Sequence, residues 1–295
     1  MPIRLAENFR ALFYAPYYAT KALGFYEHEG VDVELRNSAA PGDAVAGLLD
    51  GTIDVTWAGP MRVMKARDRE TDSPLLCFCE VVARDPFYLV GRPGPSKFRL
   101  TDLPGLRFAA VSEVPTPWMC LQHDLRLLGI DPATLVRAAD RSMGDNFEAL
   151  RNAQLDVIQV FEPYVSMALS EGIGDVLLAA SARGPTVYTT FIAARDAMAR
   201  HHDAFAAMTR AVERMQTWLA DHSAEELALV VAPFFPEIAG NILSSSLRRY
   251  LEAGIWASAT EVSRPGFSRL ADSLQSGGFI SRPARYEDCV ELPPG

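Results

Sequence analysis

Three glutamates stand where a chain of this kind can do chemistry. Glu80 lies in the apolar run Leu75 to Val82, Glu113 follows the run Leu106 to Val111, and Glu162 follows Leu155 to Phe161. Carboxylates at such points accept hydrogen bonds from ring nitrogens or amino groups, and two of them together form an acid/base pair. Aromatic residues stand among them: Tyr14, Trp57, Trp118, Phe161, Tyr164 and Tyr188. Their faces suit stacking on a flat ligand. Asn8, Ser38, Ser112 and Asn146 add small polar groups, and Gly59 with Pro60 shapes a turn. The arginines at comparable points, Arg10, Arg62 and Arg84, all come from the first third of the chain. A nitrate or sulfate site wants backbone N–H groups and positive charge with no carboxylate beside them. The mixture therefore points to a neutral or weakly basic heteroaromatic ligand. Competing roles are plain: Trp57 and Phe161 as core residues ending buried strands, and Arg62 as an ion-pair partner of Glu80.

Covalent chemistry has little support. The chain has no G-x-S-x-G elbow, no P-loop, no H-E-x-x-H and no G-x-G-x-x-G. None of the histidines His28, His123, His201, His202 and His222 is paired in sequence with a plausible nucleophile. Cys77 and Cys79 are two apart in an apolar run and read as small buried residues rather than a metal or redox pair. No catalytic residue, metal or cofactor is assigned.

The elements that must position these residues follow a repeated plan. Tyr18, Ala22, Phe25 and Tyr26 have helical spacing, Gly24 suits a helix stop, and Val31, Val33 and Leu35 alternate as in a strand. With Ile3 to Ala6 this is one strand–helix–strand crossover. GDAVAGLLDGTIDV, residues 42–55, recurs as GDNFEALRNAQLDV, residues 144–157, with Asp54 opposite Asp156. The expected architecture is α/β with two lobes joined by a hinge. Lobe one comprises residues 1–92 and 188–295, and lobe two residues 93–187, with crossings near Gly91–Ser96 and Gly184–Tyr188. After Ala194 helices dominate and read as a cap on lobe one, with Met208, Val212, Met215 and Leu219 as its core stripe. Arg248, Arg249, His201 and His202 read as solvated helix residues. Ligands of open α/β sheets sit beyond the carboxyl ends of the strands, so the loops named above should face one another across a cleft.

The 295 residues, 49% hydrophobic, suffice for one large or two ordinary domains with a substantial core. A net charge of −9 without a Lys/Arg run argues against a nucleic-acid partner. Met1-Pro2 leads straight into the first strand, and no charged segment followed by an apolar one is visible. The expectation is a periplasmic protein if a leader has been removed, or a cytoplasmic one otherwise.

The opening stretch resembles the solute-binding proteins of ABC importers for nitrate, sulfonates and thiamine pyrimidines. The residues that carry this are Ala15-Pro16-Tyr17-Tyr18-Ala19 through Gly24-Phe25-Tyr26, then Glu29-Gly30-Val31-Asp32-Val33-Glu34. Leu48 to Val55, Asp102 to Arg107, and Phe161-Glu162-Pro163-Tyr164 resemble three further motifs of that family in order. The resemblance implies a type II periplasmic-binding-protein fold that traps a small ligand by closure. Its partners would be that ligand and, if the chain is exported, an ABC permease. The aromatic and acidic loops favour the thiamine-pyrimidine-like branch. The alternatives are an enzyme on the same fold, of the menaquinone-route dehydratase or aromatic decarboxylase type, and a cytoplasmic ligand sensor.

Overall fold

The computed structural model describes residues 1–38, 42–92 and 97–291. The chain lays down β1 (Ile3–Ala6), β2 (Val33–Arg36), β3 (Val55–Ala58) and β4 (Leu75–Val82) in one sheet. It then crosses to a second sheet for β5 (Tyr88–Gly91), β6 (Arg107–Ala109), β7 (Val136–Arg137), β8 (Val157–Val160) and β9 (Asp175–Ala179), and returns for β10 (Thr189–Ala194). The orders are β2-β1-β3-β10-β4 and β7-β6-β8-β5-β9. In each sheet three parallel strands are followed by one antiparallel strand, β10 or β5, that arrives across the crossing. The two sheets thus share one plan.

That plan rests on a repeated ion pair. Arg4 holds Asp54 through its backbone N–H at 2.9 Å, Nε at 2.8 Å and Nη2 at 2.6 Å. Arg107 holds Asp156 through the same three groups at 2.9, 2.9 and 2.6 Å. Each pair ties the first strand of the parallel set to the start of its third, so the shared aspartates of the sequence repeat have a common mechanical role. Their environments differ, since the Asp54 side chain is 3% exposed and that of Asp156 is 28% exposed.

Helices α1 (Ala15–Ala22), α2 (Phe25–His28), α3 (Asp43–Asp50) and α4 (Met61–Arg69) belong to the first sheet's crossovers. Gly24 takes φ +70 between α1 and α2, where a side chain would strain the backbone. Tyr18 and Tyr26 are buried as the apolar spacing requires, whereas Ala22 is exposed. Helices α5 (Thr116–Leu127), α6 (Met143–Arg151) and α7 (Tyr164–Glu171) serve the second sheet. The C-terminal set is α8 (Arg195–Arg200), α9 (His202–Asp221), α10 (Ala224–Val231), α11 (Gly240–Glu252), α12 (Arg264–Ser276) and α13 (Tyr286–Cys289). Met208, Val212, Met215 and Leu219 form a buried stripe on α9, which packs on α1 and α2. The cap also reaches the other sheet: α11 touches α7, and α12 touches α5.

The crossing points differ from expectation. Tyr88–Gly91 was expected in lobe one but is bonded between β8 and β9, so the chain changes sheet between Val82 and Tyr88. Residues 93–96 of the expected crossing lie outside the described residues. The return runs between Ala179 and Thr189. The two passes bond to each other: the Thr186 and Tyr188 N–H groups donate to Ala83 and Val82 at 2.7 Å, and that of Ala180 donates to Phe87 at 2.9 Å. Arg183 braces them, donating to Asp85 at 2.6 Å and to Asp124 of α5 at 2.5 Å.

The repeated ion pairs make a graded prediction. Asp54→Asn should cost about 1.5–3 kcal/mol, because its charge-assisted bonds are buried, and Asp156→Asn less than about 1 kcal/mol, because its pair is half in water. Urea denaturation of the two variants measures this, and an equal or larger loss at Asp156 would contradict it.

Candidate functional site

The loop after β1, the loop after β3 and the start of α5 converge on a narrow cleft between the sheets. Asn8, Phe9, Phe13, Tyr14, Gly59, Met61, Arg62 and Tyr188 line one wall, and Val114, Pro115 and Thr116 line the other. The cavity is about 20 Å³, room for about one water, so the two walls stand nearly closed.

Aromatic contacts hold them together at the hinge end. Phe161 from the second sheet meets Phe13 edge-on at 5.3 Å and Phe87 at 5.2 Å, and lies 6.3 Å from Phe9. Tyr188 meets Phe13 edge-on at 5.9 Å. Edge-to-face pairs at such spacings add about 0.5–1.5 kcal/mol each beyond area burial.

The polar lining carries one charge sign. Arg62 is the one cation lining the cleft among the described residues, and no carboxylate lines it. Its guanidinium lies against Gly42, where a Cβ would come within 2.3 Å of Nη1. Burial draws its pKa down, while its electrostatic interactions with Tyr14 and Asp43 oppose that fall. The Asn8 amide donates to the Tyr14 hydroxyl at 3.3 Å and accepts from the Gly42 N–H at 3.0 Å. Burial pushes the Tyr14 phenol up to about 12, so it remains a neutral donor. Across the cleft, α5 begins at Thr116, presenting N–H groups without helical partners and the positive end of a twelve-residue helix. Arginine, amide, hydroxyls and a helix start together suit an anionic group.

The expected site residues thus separate into two sets. Asn8, Tyr14, Gly59, Arg62 and Tyr188 meet in the cleft. Phe161 stands at its hinge end, and Pro60 is buried beside Gly59. The others are engaged elsewhere. Arg10 donates to Glu7 at 3.0 Å, to Asn37 and to the Phe234 carbonyl, and Ser38 donates to the Glu7 carbonyl. Trp57 is core, stacked on Tyr17 at 4.7 Å and 13°. Trp118 turns from the cleft onto Phe108, with Arg137 over its ring at 5.1 Å. Ser112 and Glu113 are exposed and organise the turn before α6: Ser112 donates to Arg141 at 2.8 Å, and Glu113 accepts from the Met143 N–H at 2.6 Å. Asn146 is buried on α6 with neither amide atom paired among the described residues. Tyr164 packs on Phe147.

Glu80 and Glu162, central to the expected heteroaromatic site, are structural. Glu80 sits mid-strand in β4 with one oxygen accepting from the Ser263 N–H at 2.7 Å and the other unpaired among the described residues. It anchors the segment before α12. Among the described residues no ion pair joins it to Arg62, and burial pushes its carboxyl up to about 7. Glu162 is fully buried and accepts from the Ser166 N–H at 2.8 Å, Ser166 Oγ at 2.9 Å, Ser246 Oγ at 3.2 Å and Arg249 Nε at 2.7 Å. Arg249, expected in solvent, is therefore its ion-pair partner, and Arg248 pairs with Glu225.

Met61, Val114 and Pro115 were not among the expected residues, yet they complete the lining. Each lies between residues already selected by position, Met61 between Pro60 and Arg62, and Val114 and Pro115 between Glu113 and Trp118. A larger hollow of about 190 Å³ lies between α4 and the C-terminal tail. There Arg282 donates to the Arg67 and Asp68 carbonyls, closing the tail onto the helix rather than leaving cations free.

Two sheets of one plan, joined by paired crossings about a cleft, form the periplasmic-binding-protein fold. The Escherichia coli periplasmic aliphatic sulphonate binding protein SsuA has this fold, with TM-score 0.80 at 15% identity over 98% of this chain and 97% of that chain. The ligand binding component of an ABC-type import system from Staphylococcus aureus, solved with zinc bound, gives 0.74 at 16% identity over 99% and 97%. A Candida albicans gene product described as having the generic periplasmic binding protein fold gives 0.72 at 11% identity over 99% and 96%. In sequence, the Bacillus subtilis (strain 168) protein YtlA, named as a binding protein, is 23% identical over 293 residues, covering 98% of this chain and 87% of that one. Residues 13–226 match the family described as NMT1/THI5 like, and the chain belongs to that family.

Glu80 makes stability depend on pH. Its folded pKa, about 7, lies above the ordinary 4.5, so the folded state holds a proton that the unfolded state releases. Stability should fall as pH rises from 4.5 to 7, by about 3 kcal/mol in total. Glu80→Gln should abolish that loss in denaturation curves taken between pH 4 and 8; an unchanged slope would contradict it.

Proposed function

We propose that this chain is the solute-binding component of an ABC-type importer, which holds a small organic anion between two lobes by hinge closure. The observation that carries the ligand reading is the charge of the cleft lining: Arg62 faces it and no carboxylate does, among the described residues. The anionic head would bond to Arg62, the Asn8 amide and the start of α5 at Thr116. A compact apolar body would pack on Phe9, Phe13 and Tyr188. The lobes of this reading are the first sheet with the C-terminal helices, and the second sheet with α5 to α7. Its partners are the solute and a permease, and its place is the outer side of the membrane. Family membership and the fold support a binding protein over an enzyme, since SsuA and the Staphylococcus aureus protein are named for binding and import.

A thiamine-pyrimidine-like ligand is the second reading. The aromatic walls favour its flat ring, while its amino groups would lack the carboxylates Glu80 and Glu162, which are bonded elsewhere.

A thermal-shift panel of short alkanesulfonates, carboxylates and aminopyrimidines tests both. A sulfonate or carboxylate at a hundredfold excess over its Kd should raise Tm by about 5 °C or more, and should be recovered unchanged. Stabilisation by aminopyrimidines alone would overturn the anion reading, and recovery of a converted product would overturn the binding-protein reading.

A further inference from the structure

Glu162 touches no part of the cleft, yet it is buried completely at the seam between the second sheet and the cap. Its loop follows β8 and leads into α7. Two of its bonds stay within that lobe, from the Ser166 N–H and hydroxyl at 2.8 and 2.9 Å. Three cross the seam to α11: Ser246 Oγ at 3.2 Å and Arg249 Nε at 2.7 Å donate to the carboxylate, and the Glu162 N–H donates to the Tyr250 hydroxyl at 3.0 Å. Helix α11 is carried by the first lobe, because it packs on α10 and on residues 12–14, and α10 packs on α1. Helix α11 also touches α7 and, through Tyr250, the Tyr88 ring of the second sheet, so an opening in which α11 moves with the first lobe draws Glu162 from Ser246, Arg249 and Tyr250.

We propose that Glu162, Ser246 and Arg249 form a closure latch that sets the balance between open and closed lobes from a position remote from the ligand. This rests on the hinge-closure reading above and not on the chemistry of the solute. Ser166 keeps the carboxylate partly satisfied when the seam parts, so the latch can release without stranding a bare charge. Arg249, 28% exposed, regains water at once on release. A lone buried carboxylate without Ser166 would make opening far costlier. The arrangement thus acts as a reversible catch, with three bonds made or broken together. Ligand retention then depends on two kinds of residue: those lining the cleft and those closing the seam.

The test reads lobe separation without ligand. All four native cysteines are buried, so spin labels can be placed selectively at Leu49→Cys in the first lobe and Gln154→Cys in the second, both exposed. Electron–electron distance measurements on the labelled full chain should resolve a shorter, closed and a longer, open separation. Arg249→Met should raise the open-to-closed ratio about tenfold or more, the scale of a lost charge-assisted bond. Ser246→Ala, which leaves the ion pair intact, should give a smaller shift in the same direction. Unchanged distance distributions in both folded variants would overturn the latch. If Arg249→Met does not fold, the Ser246→Ala distribution decides alone, since a shift supports the latch and none refutes it. A failure of the anion panel leaves this readout untouched, so the two proposals stand or fall separately.

Discussion

Arg183 lies between Asp85 and Asp124 where the chain passes twice between its sheets, and the relation of the two lobes depends on that contact. Asp85 is wholly buried and the Arg183 side chain is 8% exposed. Burial raises the Asp85 pKa and the arginine works against that rise. Removing one partner from such a pair leaves an uncompensated buried charge, a loss of about 3–5 kcal/mol. The brace joins the first pass, through Asp85, to the second, through Arg183, and both to α5, through Asp124. Backbone bonds from Thr186, Tyr188 and Ala180 complete a short ribbon. In the hinge-closure reading, that ribbon and the contacts of α11 with α7 and α12 with α5 are what an opening must bend or part.

The same economy explains where the acids went. Glu80 and Glu162 both lie where a buried backbone segment needs an acceptor, Glu80 for the Ser263 N–H and Glu162 for Ser166 and α11. Spent in this way, they leave the cleft to Arg62. A cation in the first turn of α4 is opposed by the helix dipole, and burial depresses its pKa further. The Asp43 charge works against that fall, and the guanidinium lines the cleft.

Much of the fold was legible in the residues. The alternation Val31, Val33, Leu35, the stop at Gly24 and the echo of Asp54 in Asp156 led to two lobes of one plan, and the structure shows the paired Arg4 and Arg107 clamps behind that echo. The boundary was less legible, because the separate apolar strand near residues 87–90 could join either sheet when local apolarity is the only guide, and only pairing with β8 and β9 assigns it. The site was half legible. Position after a strand selected Asn8, Tyr14, Gly59 and Arg62, and position in the crossing selected Tyr188. It could not show which way Trp118 turns, since helix periodicity leaves either face open until Phe108 and Arg137 are in place. Nor could it show that Glu162 faces a helix eighty residues downstream.

Calorimetric titration of the wild type and of Arg62→Gln with ethanesulfonate and with a short carboxylate measures the charge of the cleft directly. One-to-one binding of one of these anions by the wild type, weakened about tenfold or more in Arg62→Gln, is the predicted result. Equal affinity in the two proteins, or an aminopyrimidine bound by both while the anions are refused, would contradict it.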